Sequence, residues 1–269
     1  MPDRLEELVS SLLYEGYALY PYTPEATKNA TPTPFGIVYP PAYAAECAGA
    51  HDHARLEAVA RPGTGARLTA TLRHLEPSGS GHEAREQRLE LGPVAPGERM
   101  SLEFDGGRFT LRSEPLPGGE LLVRCCVHNT VTVPTGLDRA AALGSALIST
   151  HVVVQISAGR FLSPLATGRE SVNIWPVLAT PADDVILGAA IALPDHPEIS
   201  NQSHGTLFDN TEIEEALVLH VHALTDCERE QAQQDPVVAE MLQRTLAFTP
   251  EDIVALHSGL REHDGGGER

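Results

Sequence analysis

Hydrophobic and polar residues alternate through the middle of the chain, roughly from Leu56 to Val133. The segments 66–76 (ARLTATLRHLE), 107–114 (GRFTLRSE) and 119–131 (GELLVRCCVHNTV) have this pattern, and Gly, Pro and Asp separate them. A period of two is typical of strands that turn one face to a core and the other to a more polar environment. This part of the chain therefore predicts a series of short antiparallel strands.

Two details of this region give sharper predictions. The turn Asp105-Gly106-Gly107 lies between two alternating runs, which predicts a hairpin over 101–113. In the strand that follows, Cys125 and Cys126 must point to opposite faces, so they do not form a disulfide with each other. Cys126 shares its face with His128, which makes a thiolate–imidazole pair conceivable, although a buried free cysteine is the commoner use of such a residue.

Later segments also predict strands. The segment 151–165 (HVVVQISAGRFLSPL) resembles a hairpin with Gly159 at its turn, and 173–180 and 184–193 supply further strands. In 217–223, apolar residues alternate with His220 and His222, which places both imidazoles on one face of a strand.

Helical patterns are confined to three places. Leucines at helical spacing predict an amphipathic helix from Pro2 to about Glu15, which ends at Gly16. The Ala- and Leu-rich segment 138–147 predicts a short helix. Near the end, Asp235-Pro236 and Thr249-Pro250 each begin a helix.

The predicted fold is mainly β, with sandwich-like antiparallel sheets, a short N-terminal helix and C-terminal helices. We expect a single domain over residues 1–269. Its parts are an N-terminal helix (1–15), an arm rich in Tyr and Pro (16–55), a β core (56–223) and C-terminal helices (225–262).

The arm contains five of the six tyrosines, and the sixth is nearby at Tyr14. Proline lacks the donor that a strand ladder needs, so the arm is predicted as extended chain with short strands and turns and without a helix. Tyrosine combines a large apolar area with a polar tip, and Tyr17, Tyr20 and Tyr22 therefore suit a contact surface. Packing of the arm onto its own domain and binding of a partner are both open.

Charge narrows the classes of function. The chain has 37 acidic and 19 basic residues, a formal net charge of −18. Such acidity argues against nucleic acid and against anionic membranes as partners, and it allows basic proteins, self-association or cations. We expect a cytoplasmic protein, because there is no signal-peptide pattern or membrane-length apolar run, and four cysteines in 269 residues do not indicate a disulfide framework.

Metal binding is one candidate chemistry, since imidazole, thiolate and carboxylate groups are ligands of divalent metals. Two groups of residues could form a metal site. The first group is Asp195, His196, His204, His220 and His222. The second group is Cys47, His51 and His53. The alternative for the first group is a half-exposed strand face beside a solvated acidic loop. The alternative for the second group is a chance cluster in an Ala- and Gly-rich loop. No nucleotide-binding loop, nucleophile elbow or paired CxxC motif accompanies them.

Three segments together resemble a known family. They are LLYEGYALYPYTPEATKN, GSALISTHVVVQISAGRFLSPL and LPDHPEISNQSHGTLFDNTEIEEALVLHVHALTDCEREQAQQDP. The similarity runs nearly end to end with uncharacterised proteins, common in actinobacteria, that are associated with gene clusters for high-affinity [NiFe] hydrogenases. The chain resembles a divergent member of this family, because Thr23 stands where family members usually have a basic residue, and because Lys28-Asn29 is followed by ATPTP.

The resemblance implies an accessory protein that helps to assemble, mature or scaffold a hydrogenase, and it carries over no catalytic residue. Its most recognisable positions are Tyr20, Tyr22, Lys28, Asn29, Asp195, His196, Pro197, Phe208, Asp209, Thr211 and Glu212. The predicted interaction residues are Tyr17 and most of these positions, namely Tyr20, Tyr22, Lys28, Asn29, Phe208, Asp209, Thr211 and Glu212.

Two hypotheses therefore stand. The first is a non-enzymatic accessory protein that acts through protein–protein contacts, with hydrogenase subunits or a second copy as partner. The second is a metal-binding protein or metalloenzyme with a His/Asp site in the 195–222 region. The sequence favours the first, because it offers surfaces more clearly than it offers a reacting centre.

Overall fold

The computed structural model describes residues 2–18, 36–78 and 83–198, together with Ala239, Gln243, Leu246 and Ala247. Of residues 2–3, 14–18, 77–78 and 83–84 only the backbone is described. The predicted strand at 217–223 lies outside these ranges, and so does most of the predicted C-terminal helical region, although Ala239, Gln243 and Leu246 are helical.

Short helices and longer strands alternate irregularly along the described chain. The helices are α1 (Pro2–Ala18), α2 (Pro41–Glu46), α3 (Arg139–Leu143) and α4 (Pro164–Thr167). The first five strands are β1 (His53–Pro62), β2 (Leu68–Ser78), β3 (Glu83–Val94), β4 (Arg99–Phe104) and β5 (Gly107–Pro115). The remaining strands are β6 (Leu121–Asn129), β7 (Ile148–Ile156), β8 (Gly159–Phe161), β9 (Trp175–Leu178) and β10 (Val185–Ala189).

These strands form two five-stranded antiparallel sheets. The first sheet has the order β4-β5-β6-β1-β8, and the second has the order β3-β2-β7-β10-β9. Apolar side chains from both sheets, such as Leu56, Phe109, Val123, Leu72 and Val154, share one buried core between them. The predicted mainly β, sandwich-like fold is confirmed.

The outer face of the second sheet is covered by α1. Leu8, Val9 and Leu12 of this helix pack against Val177 and Leu187 in a second apolar cluster. The spacing of these leucines predicts this amphipathic helix, and the prediction is confirmed. The helix continues past Gly16 to Ala18, so its predicted end was two residues early.

Other local predictions are confirmed as well. The hairpin at Asp105-Gly106-Gly107 joins β4 and β5. The short helix predicted within 138–147 is present as α3, although it ends already at Leu143. Asp138 caps this helix by accepting a hydrogen bond from the backbone N–H of Ala141. Trp175 begins β9. Within the described ranges no helix combines the length and hydrophobicity that crossing a membrane requires.

Two predictions are wrong. The segment 151–165 is no hairpin, because β7 pairs with β2 and β10 in the second sheet whereas β8 pairs with β1 in the first. The chain crosses from one sheet to the other near Gly159, whose φ of 116° is a conformation that favours glycine. The arm is also not free of helix, because α2 begins at Pro41, and proline is tolerated in the first turn of a helix.

Candidate functional site

The outer face of the first sheet is rich in arginine. Because Leu56, Phe109, Val123 and Val127 point into the core, the alternate residues of the same strands point outward. The outward arginines number seven, namely Arg55, Arg61, Arg99, Arg108, Arg112, Arg124 and Arg160. The outward glutamates of these strands number three, namely Glu57, Glu103 and Glu114. We call this surface the arginine face.

Strand register determines which of these side chains are neighbours. Arg124 of β6 lies opposite Glu57 of β1 on one side and opposite Arg112 of β5 on the other. Arg112 in turn lies opposite Arg99 of β4. Cross-strand neighbours of this kind have Cβ atoms ~5 Å apart. One row of the sheet therefore brings three arginines and one glutamate together.

Ion pairs hold the centre of the arginine face. Arg124 Nε donates to Glu57 at 2.7 Å, and its Nη1 donates to Glu114 at 3.1 Å. Arg112 also pairs with Glu114, at 3.1 Å, and Arg55 lies 3.6 Å from Glu57. The hydrogen bond to Glu57 raises the pKa of Arg124, so this guanidinium stays charged. The Glu57 side chain is only 12% exposed, which makes its pair with Arg124 the best shielded on this face.

The periphery of the face is more open. Arg99, Arg108 and Arg160 are exposed. Arg108 lies 3.7 Å from Glu103, a separation that gives only a weak surface ion pair. At the end of β1, Arg61 pairs with Glu120 at 3.0 Å. The outer arginines are therefore available to a ligand, while the central ones are already positioned by glutamates.

Cys126 lies in the row between Arg55 and Thr110. It shares its face with His128, as the alternation predicts. Burial raises the pKa of the Cys126 thiol, and the positive charges of Arg55 and Arg112 only partly oppose this effect. The protonated thiol is the form that burial favours, and the thiol is a poorer nucleophile and ligand than the thiolate.

His53 and His128 stack on each other at the end of this face. Their ring centroids are 5.3 Å apart and the planes are inclined by 21°. Nδ1 of His53 is 2.7 Å from a carboxylate oxygen of Asp52. Burial lowers the pKa of His128, and His53 and Arg108 lower it further. The neutral form of His128 is therefore favoured beside this group of cations.

The three residues Cys47, His51 and His53 follow one another closely in the chain but belong to different elements. Cys47 ends α2, the backbone of His51 accepts a hydrogen bond from the N–H of Tyr39, and His53 begins β1. In the parts of the chain that the structure describes, no three His, Cys, Asp or Glu side chains are placed to hold a metal ion.

Asp195 and His196 hold the segment after β10 against β9. The Asp195 carboxylate accepts hydrogen bonds from Ser163 Oγ at 2.6 Å and from the backbone N–H of Leu178 at 2.9 Å. Nε2 of His196 is 2.8 Å from a carboxylate oxygen of Asp183. Their predicted co-ligands His204, His220 and His222 lie outside the described residues, so a metal site in this region stays a prediction.

The described part of the arm packs onto its own domain. Tyr39 and Tyr43 are buried, with ring centroids 4.8 Å apart, and burial raises the pKa of both phenols. Nε of Arg139 donates to the Tyr39 hydroxyl at 3.3 Å. The side chain of Tyr17 is not among those described. The other predicted interaction residues also lie outside the described ranges, namely Tyr20, Tyr22, Lys28, Asn29, Phe208, Asp209, Thr211 and Glu212.

Sequence reasoning did not single out the arginine face. A signal was present, because Arg108 and Arg112, and likewise Arg124, occupy the polar positions of alternating strands. Only the order of the strands shows that these positions join across β4, β5, β6 and β1 into one surface.

Comparison with known proteins does not assign the chain to a family. No protein-family model matches it, and none of the curated proteins matches it. The resemblance to hydrogenase-associated proteins therefore stays a prediction.

Proposed function

We propose that this protein is a non-enzymatic accessory protein that binds a protein partner through its arginine face. Its task is the assembly, maturation or scaffolding of a larger complex. The resemblance described above suggests that this complex is a [NiFe] hydrogenase.

One observation carries the proposal, namely the contrast between the outer faces of the two sheets. The outer face of the second sheet is covered by α1, which buries Val177 and Leu187 and pairs through Glu6 with Arg73. The outer face of the first sheet instead presents charged side chains, of which Arg108 and Arg112 are 45% and 42% exposed. One face of the sandwich is thus covered by the protein's own helix, while the other is charged and accessible. The accessible face is the one suited to bind a protein partner.

The chemistry of this face supports binding rather than covalent catalysis. Arginine presents a planar fork of donors that recognises carboxylates in pairs, and it remains charged at all physiological pH values. Arg124 and Arg112 are held in place by Glu57 and Glu114, which lowers the entropy lost when a partner docks. Burial keeps the Cys126 thiol protonated, so the reactive side chain nearest the centre is in its less reactive form.

The test begins with untagged protein from its native host. Co-eluting proteins are identified by mass spectrometry, and metals are measured in the same sample. We expect hydrogenase subunits to co-elute in near-stoichiometric amount, and we expect hydrogenase activity to fall in a deletion strain and to return on complementation. Protein that elutes without a partner and leaves hydrogenase activity unchanged on deletion would refute the proposal. A stoichiometric metal that His220→Ala or His222→Ala removes would instead support the metal-binding hypothesis.

A further inference from the structure

We infer that the arginine face binds a carboxylate-rich polypeptide segment of the partner. This inference rests on the proposed function and names the chemistry of the partner. It follows from the distribution of charge, the residue type, the orientation of the side chains and the size of the face.

The distribution of charge is the first argument. The whole chain has a formal net charge of −18, yet the outward positions of the first sheet hold seven arginines and three glutamates, as listed above. Of the 19 basic residues in the sequence, these seven therefore lie on a single face. A positive patch on an otherwise acidic protein attracts a local group of negative charges and orients it as it approaches.

The residue type is the second argument. The cations of this face are all arginines, and Lys28 is the only lysine of the chain. Arg124 already binds two carboxylates, one from Glu57 and one from Glu114, at hydrogen-bond distance. The face thus binds carboxylates within its own fold, and Arg99, Arg108 and Arg160 repeat the same donor group at exposed positions.

The same charges argue against two other occupants. A symmetric dimer through this face would place arginines of one copy against arginines of the other, because a twofold interface uses the same patch on both subunits. Nucleic acid is disfavoured because the overall charge of −18 repels a long polyanion, whereas a short acidic segment meets mainly the local patch.

The size of the face fits a single segment. Neighbouring strands lie ~4.8 Å apart, and outward residues along one strand are ~6.7 Å apart, so the five strands cover roughly 550 Å². A typical stable interface buries about 800 Å² on each partner. The face is thus smaller than a whole protein–protein interface and matches one extended or helical acidic stretch.

The inference is tested with labelled probes and the full-length chain. Fluorescence anisotropy measures the binding of a short peptide that alternates glutamate with serine, of the same peptide with glutamine for glutamate, and of a DNA duplex long enough to extend beyond the arginine face. The variant Arg99→Glu/Arg108→Glu changes two exposed positions of the face. The matched control Arg67→Glu/Arg85→Glu makes the same change of charge at exposed positions of β3 and just before β2.

We expect the glutamate peptide to bind the unmodified protein and to bind the Arg99/Arg108 variant about tenfold more weakly, while the control changes little. Raising the salt from ~0.05 M to ~0.3 M should weaken binding, since the face is exposed. Equal weakening in the control, equal binding of the glutamine peptide or tighter binding of DNA would overturn the inference. So would self-association in light scattering that the Arg99/Arg108 variant abolishes.

The native-host experiment separates this inference from the proposed function. If a partner co-elutes with the unmodified protein and equally with the Arg99/Arg108 variant, the accessory role stands and the arginine face is not its binding site. If no partner co-elutes with either protein, the proposed function itself fails. Circular dichroism of each variant confirms that the sheets are intact.

Discussion

Arg73 lies directly opposite His151 in the ladder between β2 and β7, on the side of the second sheet that α1 covers. Arg73 is almost fully buried, yet it donates to Glu86 at 2.7 Å, to Ser10 at 2.9 Å and to Glu6 at 3.3 Å. Two of these acceptors belong to α1. The arginine therefore ties the helix to the sheet, beside a histidine that burial keeps neutral.

Replacing Arg73 should loosen this attachment. Arg73→Met keeps much of the side-chain volume but removes the donors to Glu6, Ser10 and Glu86. Removal of one partner from a buried ion pair is costly, and we expect a loss of about 2 to 3 kcal/mol in the free energy of unfolding, measured with urea. The control is Arg88→Met, because Arg88 also pairs with Glu6 but is 44% exposed, and its loss should be below ~1 kcal/mol. Equal losses in the two variants would contradict this role of Arg73.

Acid should destabilise the fold through His151. Its Nδ1–H donates to the Ser149 carbonyl, its Nε2 is buried without a partner, and burial lowers its pKa to about 4. Because the folded pKa is below the unfolded value of about 6.5, the stabilisation is complete above that value and is lost as the pH falls from there toward 4.

His151→Asn tests this dependence, since the asparagine amide can still donate to the Ser149 carbonyl but does not titrate. Between about pH 7 and about pH 5, the unmodified protein should lose roughly 2 kcal/mol more unfolding free energy than the variant does. An unchanged acid dependence in His151→Asn would show that other groups cause it.

Asp195 should stabilise the fold through its two hydrogen bonds. Asp195→Ala leaves the N–H of Leu178 and the Ser163 hydroxyl without their acceptor, and we expect a loss of about 1 to 3 kcal/mol in thermal or urea unfolding. Asp195→Asn keeps one carbonyl oxygen as an acceptor and should lose less. If Asp195→Ala removed a bound metal without any loss of stability in the metal-free protein, Asp195 would be a ligand and not a structural residue.

The central ion pair of the arginine face should show measurable coupling. In a double-mutant cycle with Glu57→Gln and Arg124→Gln, we expect a coupling energy of about 1 to 2 kcal/mol, because Glu57 is largely shielded from water. The cycle Glu103→Gln with Arg108→Gln is the exposed counterpart and should give below ~0.5 kcal/mol. Similar coupling in both cycles would mean that burial does not distinguish the two pairs.

Alternation predicted much of the fold, because each strand of the first sheet must bury one side. The prediction that Cys125 and Cys126 point to opposite faces, with His128 on the side of Cys126, is confirmed, as is the turn at Asp105-Gly106-Gly107. These features depend only on residues that are near one another in the chain. Local chemistry, such as the glycine turn, was therefore sufficient.

Features that depend on pairing between distant segments were not predictable in this way. The segment 151–165 has the pattern of a hairpin, yet the chain passes from one sheet to the other at Gly159, because β8 pairs with the end of β1. The contact of His53 with His128 depends likewise on the register of β1 and β6. The same holds for the arginine face, whose members are spread over more than a hundred positions of the sequence.

The position of α1 has a practical consequence for measurement. The helix and the arginine face lie on opposite sides of a sandwich whose two sheets are ~10 Å apart. A linker attached ahead of Pro2 therefore anchors the protein to a sensor through the side that α1 covers. The arginine face then points toward the solution. Immobilisation through this end leaves the arginine face accessible to a probe peptide, whereas random coupling through carboxylates would also modify the exposed Glu103 and Glu114.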